Sequence, residues 1–523
     1  MSAGVRRLLA GRDPWPAVLA VVALVVYLVH GVLGAISRDL SLYVYAGQQV
    51  LDGHAPYVAI LNRAGPLAHL VPALGIALGR VVGLSDPVGA RLLFLIVAVA
   101  AVVAVYFWCR LVLRSRSAAL VGAAALLCSH GFIQYASDGP REKTVMVLLF
   151  VLFLIDLHKR HWFRAGVWLA LATLTLQIIF PPGAGAALVA LVLIGRGSRL
   201  RAVARFAGGG LVVVAAFVAY FAAMGALDDA FQAFWVINSR YTEADPPLEN
   251  ARAIWENVAD AYGASLWVSV TGGVVVLLAG LLALAGWRRP GSDPAVARLR
   301  AVAPAAAAVV LWAVWSLRDF DGWPDAFPLL APAALGIALL VVVIAERLAL
   351  RAAMALVAAC SLLAVADGFG YAVSSRDNLL VDQQALAEAI VRPLPRGATF
   401  FTVEAPQVVA LTRNTLISRN VMYSAGLEVY LQDTYPGGLE GLGRWVTRQH
   451  PTLILITRDR SRFPTWLEST LARDYVAIRT PFMLTYLARS AGKKVRREVI
   501  RRVARAIENH PDLGDPTTYR YVS

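Results

Sequence analysis

The chain has 523 residues, of which 58% are hydrophobic and 16% charged, and its 49 Lys and Arg against 34 Asp and Glu leave a formal charge of +15. With a mean hydropathy of +0.62, this composition excludes a water-soluble globular protein of such length and points to a polytopic membrane protein. The basic residues sit mostly in short loops between apolar runs, so nucleic acid is not an expected partner. Cys109, Cys128 and Cys360 all fall inside apolar runs, which indicates neither a disulfide framework nor a metal cluster.

Arg6, Arg7 and Arg12 precede the first apolar run, 16–36, and no small-residue cleavage site follows it, so it reads as an uncleaved span. It supplies the roughly 20 apolar residues with which a helix crosses about 30 Å of hydrocarbon. Further runs at 92–112, 118–135, 145–157, 165–180, 183–195, 206–224, 266–286, 302–317, 329–344 and 352–371 bring the expected membrane helices to about eleven. One more run, 66–82, contains His69, Pro72 and Arg80, and its status sets the sidedness of everything after it. If it does not cross, the basic loops around Arg110/Arg114/Arg116, Lys159/Arg160/Arg164, Arg196/Arg199/Arg201/Arg205, Arg288/Arg289/Arg298/Arg300 and Arg347/Arg351 all share the side of the N-terminus. On that ground 66–82 is expected to be a juxtamembrane helix. The N-terminus is then cytoplasmic, and segments 37–91, 136–143, 225–263 and the C-terminal region are extracytoplasmic.

The first two of these segments carry dense polar chemistry. Asp39 follows the first span, with Tyr43 one helical turn later on the same face. A carboxylate there can take a proton from a substrate hydroxyl as a general base; equally, Asp is a favoured cap for a helix starting at Leu40. Arg63, before Gly65-Pro66, and Arg91, at the mouth of the second span, can each hold a phosphate by charge-assisted hydrogen bonds or anchor the chain at the interface. The second segment reads Ser137-Asp138-Gly139-Pro140-Arg141-Glu142-Lys143-Thr144, four ionisable groups among eight residues that pair with a ligand or with one another. Gln177 stands beside a Pro-Pro break. The third, with Trp235, Asn238, Arg240, Tyr241, Glu243, Asp245 and Trp255, suits sugar binding or an aromatic belt.

From about residue 375 the composition changes. Amphipathic helices at 382–391 and 438–449, with buried strands at 398–403 and 453–457, describe a small α/β domain over 375–523 after a transmembrane domain over 1–374. Its Lys/Arg-rich stretch 493–505 is either a helix lying on anionic lipid or a solvated tail.

Taken in order, Asp39 to Tyr45 with Gly53 to Tyr57, Asn62 to His69, and Pro140 to Met146 resemble the motifs of the GT-C superfamily of polytopic glycosyltransferases. The nearest branch is that of the protein O-mannosyltransferases and polyprenyl-phosphate-mannose transferases. The resemblance implies a membrane helical fold and transfer of a sugar, mannose among the candidates, from a polyprenyl-phosphate donor to an extracytoplasmic glycan, lipid or protein acceptor. It implies catalytic roles for Asp39 and for Asp138 or Glu142, and donor-phosphate binding by Arg63, Arg91, Arg141 and Lys143. Tyr43, Tyr45, His54, Tyr57, His69 and Gln177 form the candidate substrate-binding set. No cofactor is required, and a divalent cation stays compatible with the carboxylates. The chain departs from the mannosyltransferase pattern in having Asp39-Leu40 for an Asp-Glu pair and Ala64-Gly65-Pro66-Leu67 for a His-Pro-Pro-Leu or Lys-Pro-Pro-Leu turn. A transporter or flippase, with ionisable groups deep in its spans, and a non-catalytic envelope-assembly protein are the rival classes.

Overall fold

The computed structural model describes residues 13–242, 246–286 and 293–514. Arg6, Arg7, Arg12, Glu243, Asp245, Arg288 and Arg289 lie outside the described residues. The helices of nine or more residues up to Ser374 are α1 (Trp15–His30), α2 (Arg38–Leu51), α3 (Leu67–Val81), α4 (Asp86–Leu113), α5 (Arg116–Leu127), α6 (His130–Asp138), α7 (Glu142–His158), α8 (Trp162–Thr173), α9 (Phe180–Val192), α10 (Arg196–Ala223), α11 (Pro247–Tyr262), α12 (Leu266–Ala285), α13 (Pro294–Ser316), α14 (Phe327–Ala345) and α15 (Leu350–Ser374). Six helical segments among the described residues are long and apolar enough to cross a bilayer, and a seventh span results if α5 and α6, bent by 69° at a short break, are taken together. Shorter apolar helices, α1 and α9 among them, account for other expected runs.

Two expectations change. The run 165–180 is not one helix: α8 stops at Thr173, and the carbonyls of Leu174 and Thr175 turn aside to accept from Leu67 N at 3.1 Å and Gly65 N at 3.0 Å. Gly65 is required at this crossing, because a Cβ on it would meet the Leu174 carbonyl oxygen at 2.0 Å. The segment 225–263 is not a plain loop either, since α11 runs on through a single 3-10 turn into α12. The run 66–82 becomes α3, 15 residues with Pro72 inside, packed against α2 and α4.

The C-terminal region contains α16 (Leu380–Val391), α17 (Gly438–Gln449) and α18 (Lys493–Asn509) with strands β1 (Phe400–Val403), β2 (Leu453–Thr457), β3 (Tyr475–Arg479) and β4 (Met483–Ala488). The sheet order is β1-β2-β4-β3, parallel between β1 and β2 and antiparallel elsewhere. The basic stretch is helical, and Val499, Val503 and Ala506 are buried with α18 packed on α16. Its apolar face is therefore largely taken up by the sheet region.

This region does not stand apart from the first loop. Ile36, Leu40, Val44 and Tyr57 share one buried cluster with Phe401, Val403, Leu453 and Ile454. Gln383 brackets Ile36, its Oε1 accepting from the backbone N at 2.8 Å and its Nε2 donating to the carbonyl at 3.0 Å. Tyr45 Oη accepts from Leu416 N at 3.0 Å, and Gln48 Nε2 donates to the Ala410 carbonyl at 2.8 Å. Tyr45 thus belongs to the joint between the two regions.

Arg91 is also structural. Its guanidinium is fully buried and donates to the carbonyls of Val32, Gly34 and Ala35 and of Asp138 and Gly139, at 2.5 to 3.1 Å. It fastens the end of the first span to the second loop, with all three guanidinium nitrogens engaged by backbone carbonyls. Replacing it by methionine leaves these buried carbonyls without donors, at about 1–3 kcal/mol for each unsatisfied group. We expect Arg91→Met to lower the thermal midpoint of the detergent-purified protein by many degrees. An unchanged midpoint would return Arg91 to the list of ligand-binding residues.

Candidate active site

At the end of the bundle where α1 finishes and α2 begins, a cavity of about 1270 Å³ opens between the first loop, the second loop, the segment joining α13 to α14, and the C-terminal region. Asp39, Tyr43, Arg63, Asp138, Arg141, Glu142, Lys143 and Gln177 line it, so a large part of the expected set comes together from four distant stretches of chain. Tyr45, His54, Tyr57, His69 and Arg91 do not line it. Tyr57 Oη donates to the Ala64 carbonyl at 2.8 Å and its ring meets His69 edge-on, which supports the Arg63 turn from behind. His69 is fully buried and His54 is exposed.

Asp39 is not the helix cap. The α2 N-cap is Ser37, whose side chain accepts from Leu40 N at 3.4 Å, and Asp39 lies inside the first turn with its carboxylate free to face elsewhere. Its Oδ1 accepts from Arg38 Nε at 2.9 Å and its Oδ2 from Arg141 Nη1. Burial by itself would raise its pKa, but the two guanidiniums outweigh it and hold the carboxyl well below the usual carboxylate range. The start of α2 adds its helix dipole in the same sense. Arg141 is in turn held over two rings, 4.7 Å from the Tyr135 centroid and 5.8 Å from that of Tyr43.

Arg38 reaches across to the C-terminal region, donating through Nη1 to Glu404 Oε2 at 2.7 Å. Glu404 follows β1 in a left-handed backbone conformation, φ +56°, and is almost fully buried. It also accepts from Arg462 Nη1 at 2.9 Å and from the backbone N of Tyr423 at 3.0 Å. Glu404 and Arg462 were invisible as site residues in the sequence, because nothing near β1 or β2 marks them.

On another wall, Arg63 pairs with Asp321 and donates to the Ala425 carbonyl at 3.3 Å. Its own carbonyl accepts from Gln177 Nε2 at 3.0 Å and Asn238 Nδ2 at 2.9 Å, which fixes the turn from two further segments. Gln177 is therefore a support for Arg63. Lys143 Nζ lies 2.7 Å from Asp325 Oδ1. Asp319 lines the same wall; burial pushes its carboxyl up, Arg63 opposes that, and Asp325 adds to it. The stretch Asp319-Phe320-Asp321-Gly322-Trp323-Pro324-Asp325 forms much of this wall and is not among the residues expected from sequence. Its signal was three aspartates around a Trp-Pro turn between two apolar runs.

Glu142 is buried, with Oε2 3.8 Å from Arg141 Nε and without a hydrogen bond. Asp138 lies 3.8 Å from His30 Nδ1. Among the described residues no three His, Cys, Asp or Glu side chains are grouped so as to hold a metal ion.

No family model matches the chain, and no curated protein sequence matches it. Solved structures do. ArnT from Cupriavidus metallidurans in the apo state aligns with a TM-score of 0.62 at 14% identity, covering 92% of this chain and 98% of that one. The same protein bound to undecaprenyl phosphate aligns with a TM-score of 0.62 at 13% identity over the same shares. The archaeal oligosaccharyltransferase AglB from Archaeoglobus fulgidus, in complex with an inhibitory peptide and a dolichol-phosphate, aligns with a TM-score of 0.51 at 12% identity, covering 91% and 74%. At these identities the likeness is one of fold: the chain shares the mostly helical architecture of ArnT and AglB, with a small C-terminal sheet region.

Proposed function

We propose that the chain is a membrane glycosyltransferase that moves a sugar from a polyprenyl-phosphate donor to an extracytoplasmic acceptor. The observation that carries this reading is one cavity holding an ionised carboxylate, Asp39, and an exchangeable arginine, Arg63. The fold neighbours in complex with undecaprenyl phosphate and dolichol-phosphate support a lipid-phosphate donor. The sorting of basic loops to the opposite end supports a cavity outside the cytoplasm, where nucleotide-activated sugars are absent.

Energetics selects the phosphate ligand. The Arg63–Asp321 pair is open to water, the Asp321 side chain being 44% exposed, and such pairs contribute only about 0–1 kcal/mol. Arg141 is 9% exposed and held over two tyrosine rings, while its partner Asp39 is 31% exposed, so the ring contacts as well as the ion pair keep Arg141 in place. An incoming phosphate therefore draws Arg63 from Asp321 and leaves Arg141 on Asp39. The acceptor hydroxyl attacks the anomeric carbon from the side opposite the phosphate, the carbon–oxygen bond to phosphate breaks, and Arg63 stabilises the leaving lipid phosphate. A carboxylate of low pKa suffices as base, because the attacking oxygen becomes strongly acidic as its bond to carbon forms. In this reading Glu404 is a positioning residue that fixes Arg38, and through it the orientation and charge of Asp39.

Asp39→Asn keeps the volume and leaves the Ser37 cap untouched, so the protein should fold while sugar transfer in membranes falls at least about a hundredfold. Near-wild-type transfer would remove Asp39 from the mechanism. Arg63→Ala should lose about 2–4 kcal/mol of transition-state stabilisation, with Arg63→Lys retaining part of it. Full turnover by the alanine variant would make Arg63 an interfacial anchor. For Glu404, a double-mutant cycle with Arg38→Gln separates positioning from folding. Glu404→Gln should lower kcat with little change in donor KM, and should have almost no further effect in the Arg38→Gln background. Additive losses would mean that Glu404 acts only on stability.

A further inference from the structure

The other end of the bundle holds a second cavity, of about 1360 Å³, lined by the starts of α1, α5, α8 and α13, the ends of α4, α7, α9 and α14, and α15 from Leu350 to Val365. Its origin lies in how α15 packs. Only Gly368 and Ala372 of this helix are fully buried, both near the end that reaches the active site. Gly368 is where the backbones close, a Cβ there meeting the Leu127 carbonyl at 2.7 Å. Below that point the helix stands off from the bundle, and Val18, Val22, Leu120, Met354, Val357 and Val365 face the resulting wedge. Walls of this kind give water no hydrogen-bond partners, and an empty wedge would forfeit the dispersion contacts of every residue along it. In a bilayer the available filling is an acyl chain.

The mouth of the wedge has the opposite character. Arg114, Arg116, Arg160, Arg298 and Arg300 line it together with Glu346, and Arg116 also lies 3.8 Å from Asp13. Glu346 is committed to Arg298 by a two-point pair of 2.6 and 2.9 Å. Arg114 and Arg160 are exposed, both at positive φ after the last turns of α4 and α7. A concentration of guanidiniums above an apolar cleft complements a lipid whose headgroup is anionic.

We infer that this wedge is a binding site for an anionic glycerophospholipid, with the acyl chains between α1 and α15 and the phosphate at the arginine rim. It is separate from the donor site. Trp15 borders the wedge and His30 borders the active-site cavity, and these are the two ends of α1, about 24 Å apart for 16 residues. A bound lipid would prop α15, whose far end supplies Tyr371 and Ser374 to the active-site wall. The inference stands independently of the reaction assigned to that site.

The test uses the full chain, delipidated in detergent and incubated with phosphatidylglycerol, phosphatidylcholine or undecaprenyl phosphate, with bound lipid counted by native mass spectrometry. One phosphatidylglycerol per chain should be retained at least about fivefold over phosphatidylcholine. The Arg114→Glu/Arg160→Glu variant should abolish that preference through surface charges that the fold does not need. Met354→Trp, which narrows the wedge without touching charge, should reduce retention of both phospholipids. Equal retention of the two phospholipids, or phosphatidylglycerol retention indifferent to both variants, would overturn the proposal. Preferential retention of undecaprenyl phosphate that is lost in Met354→Trp would overturn it in favour of a carrier-lipid site.

Discussion

The carboxylate of Asp39, held between the guanidiniums of Arg38 and Arg141, is the interaction around which the rest is arranged. Neither arginine could be kept there alone. Arg141 sits over two tyrosine rings at the start of α7, and Arg38 is tethered by Glu404 from beyond β1. A charge cluster this deep is costly to assemble unless every member has its partner, and the partners come from the first loop, the second loop and the C-terminal region together. The three segments are therefore linked through these ion pairs, and the first loop and the C-terminal region also share an apolar cluster.

The scaffolding under this cluster consists of hydrogen bonds to backbone carbonyls. Arg91 gathers carbonyls from both loops, and Gln177 and Asn238 hold the carbonyl of Arg63. These polar side chains look functional in a sequence because they are costly to bury. Several are costly because they satisfy irregular backbone at membrane depth or at its edge, where water is scarce. Arg91 supports the cavity from behind, and Gln177, itself on the cavity wall, spends its amide on the Arg63 and Phe234 carbonyls.

The cations facing the cavity differ in how firmly they are held. Arg141 is locked by burial and by two rings, Lys143 is buried with Asp325, and Arg63 alone of the three meets a well-exposed carboxylate. The proposed reaction, which admits an anion and later releases it, calls for one cation whose resting partner is weakly held. The loop Asp319 to Asp325 supplies that partner.

Hydropathy and loop charge determined the membrane class, the approximate positions of the eleven apolar runs and the gathering of basic loops at one end, because each follows from composition over a window of about 20 residues. The motif residues Asp39, Arg63 and Arg141 were legible for the same local reason, as polar groups concentrated where a span meets water. The helices 382–391 and 438–449 and the strands near 400 and 453 were legible from periodicity. Tertiary structure decided the rest. The break after Thr173 arises because first-loop amides capture the carbonyls of Leu174 and Thr175, a contact across more than a hundred residues. The cap reading of Asp39 gave way because Ser37 took the cap, which is local, and because Arg38 and Arg141 took the carboxylate, which is not. Strands β3 and β4 and Glu404 carry no local pattern that sets them apart, and the three aspartates around Trp323-Pro324 mark a polar turn without showing what it faces. Their roles exist only where distant segments meet, and pairing across such distances is fixed by the packing of the whole chain.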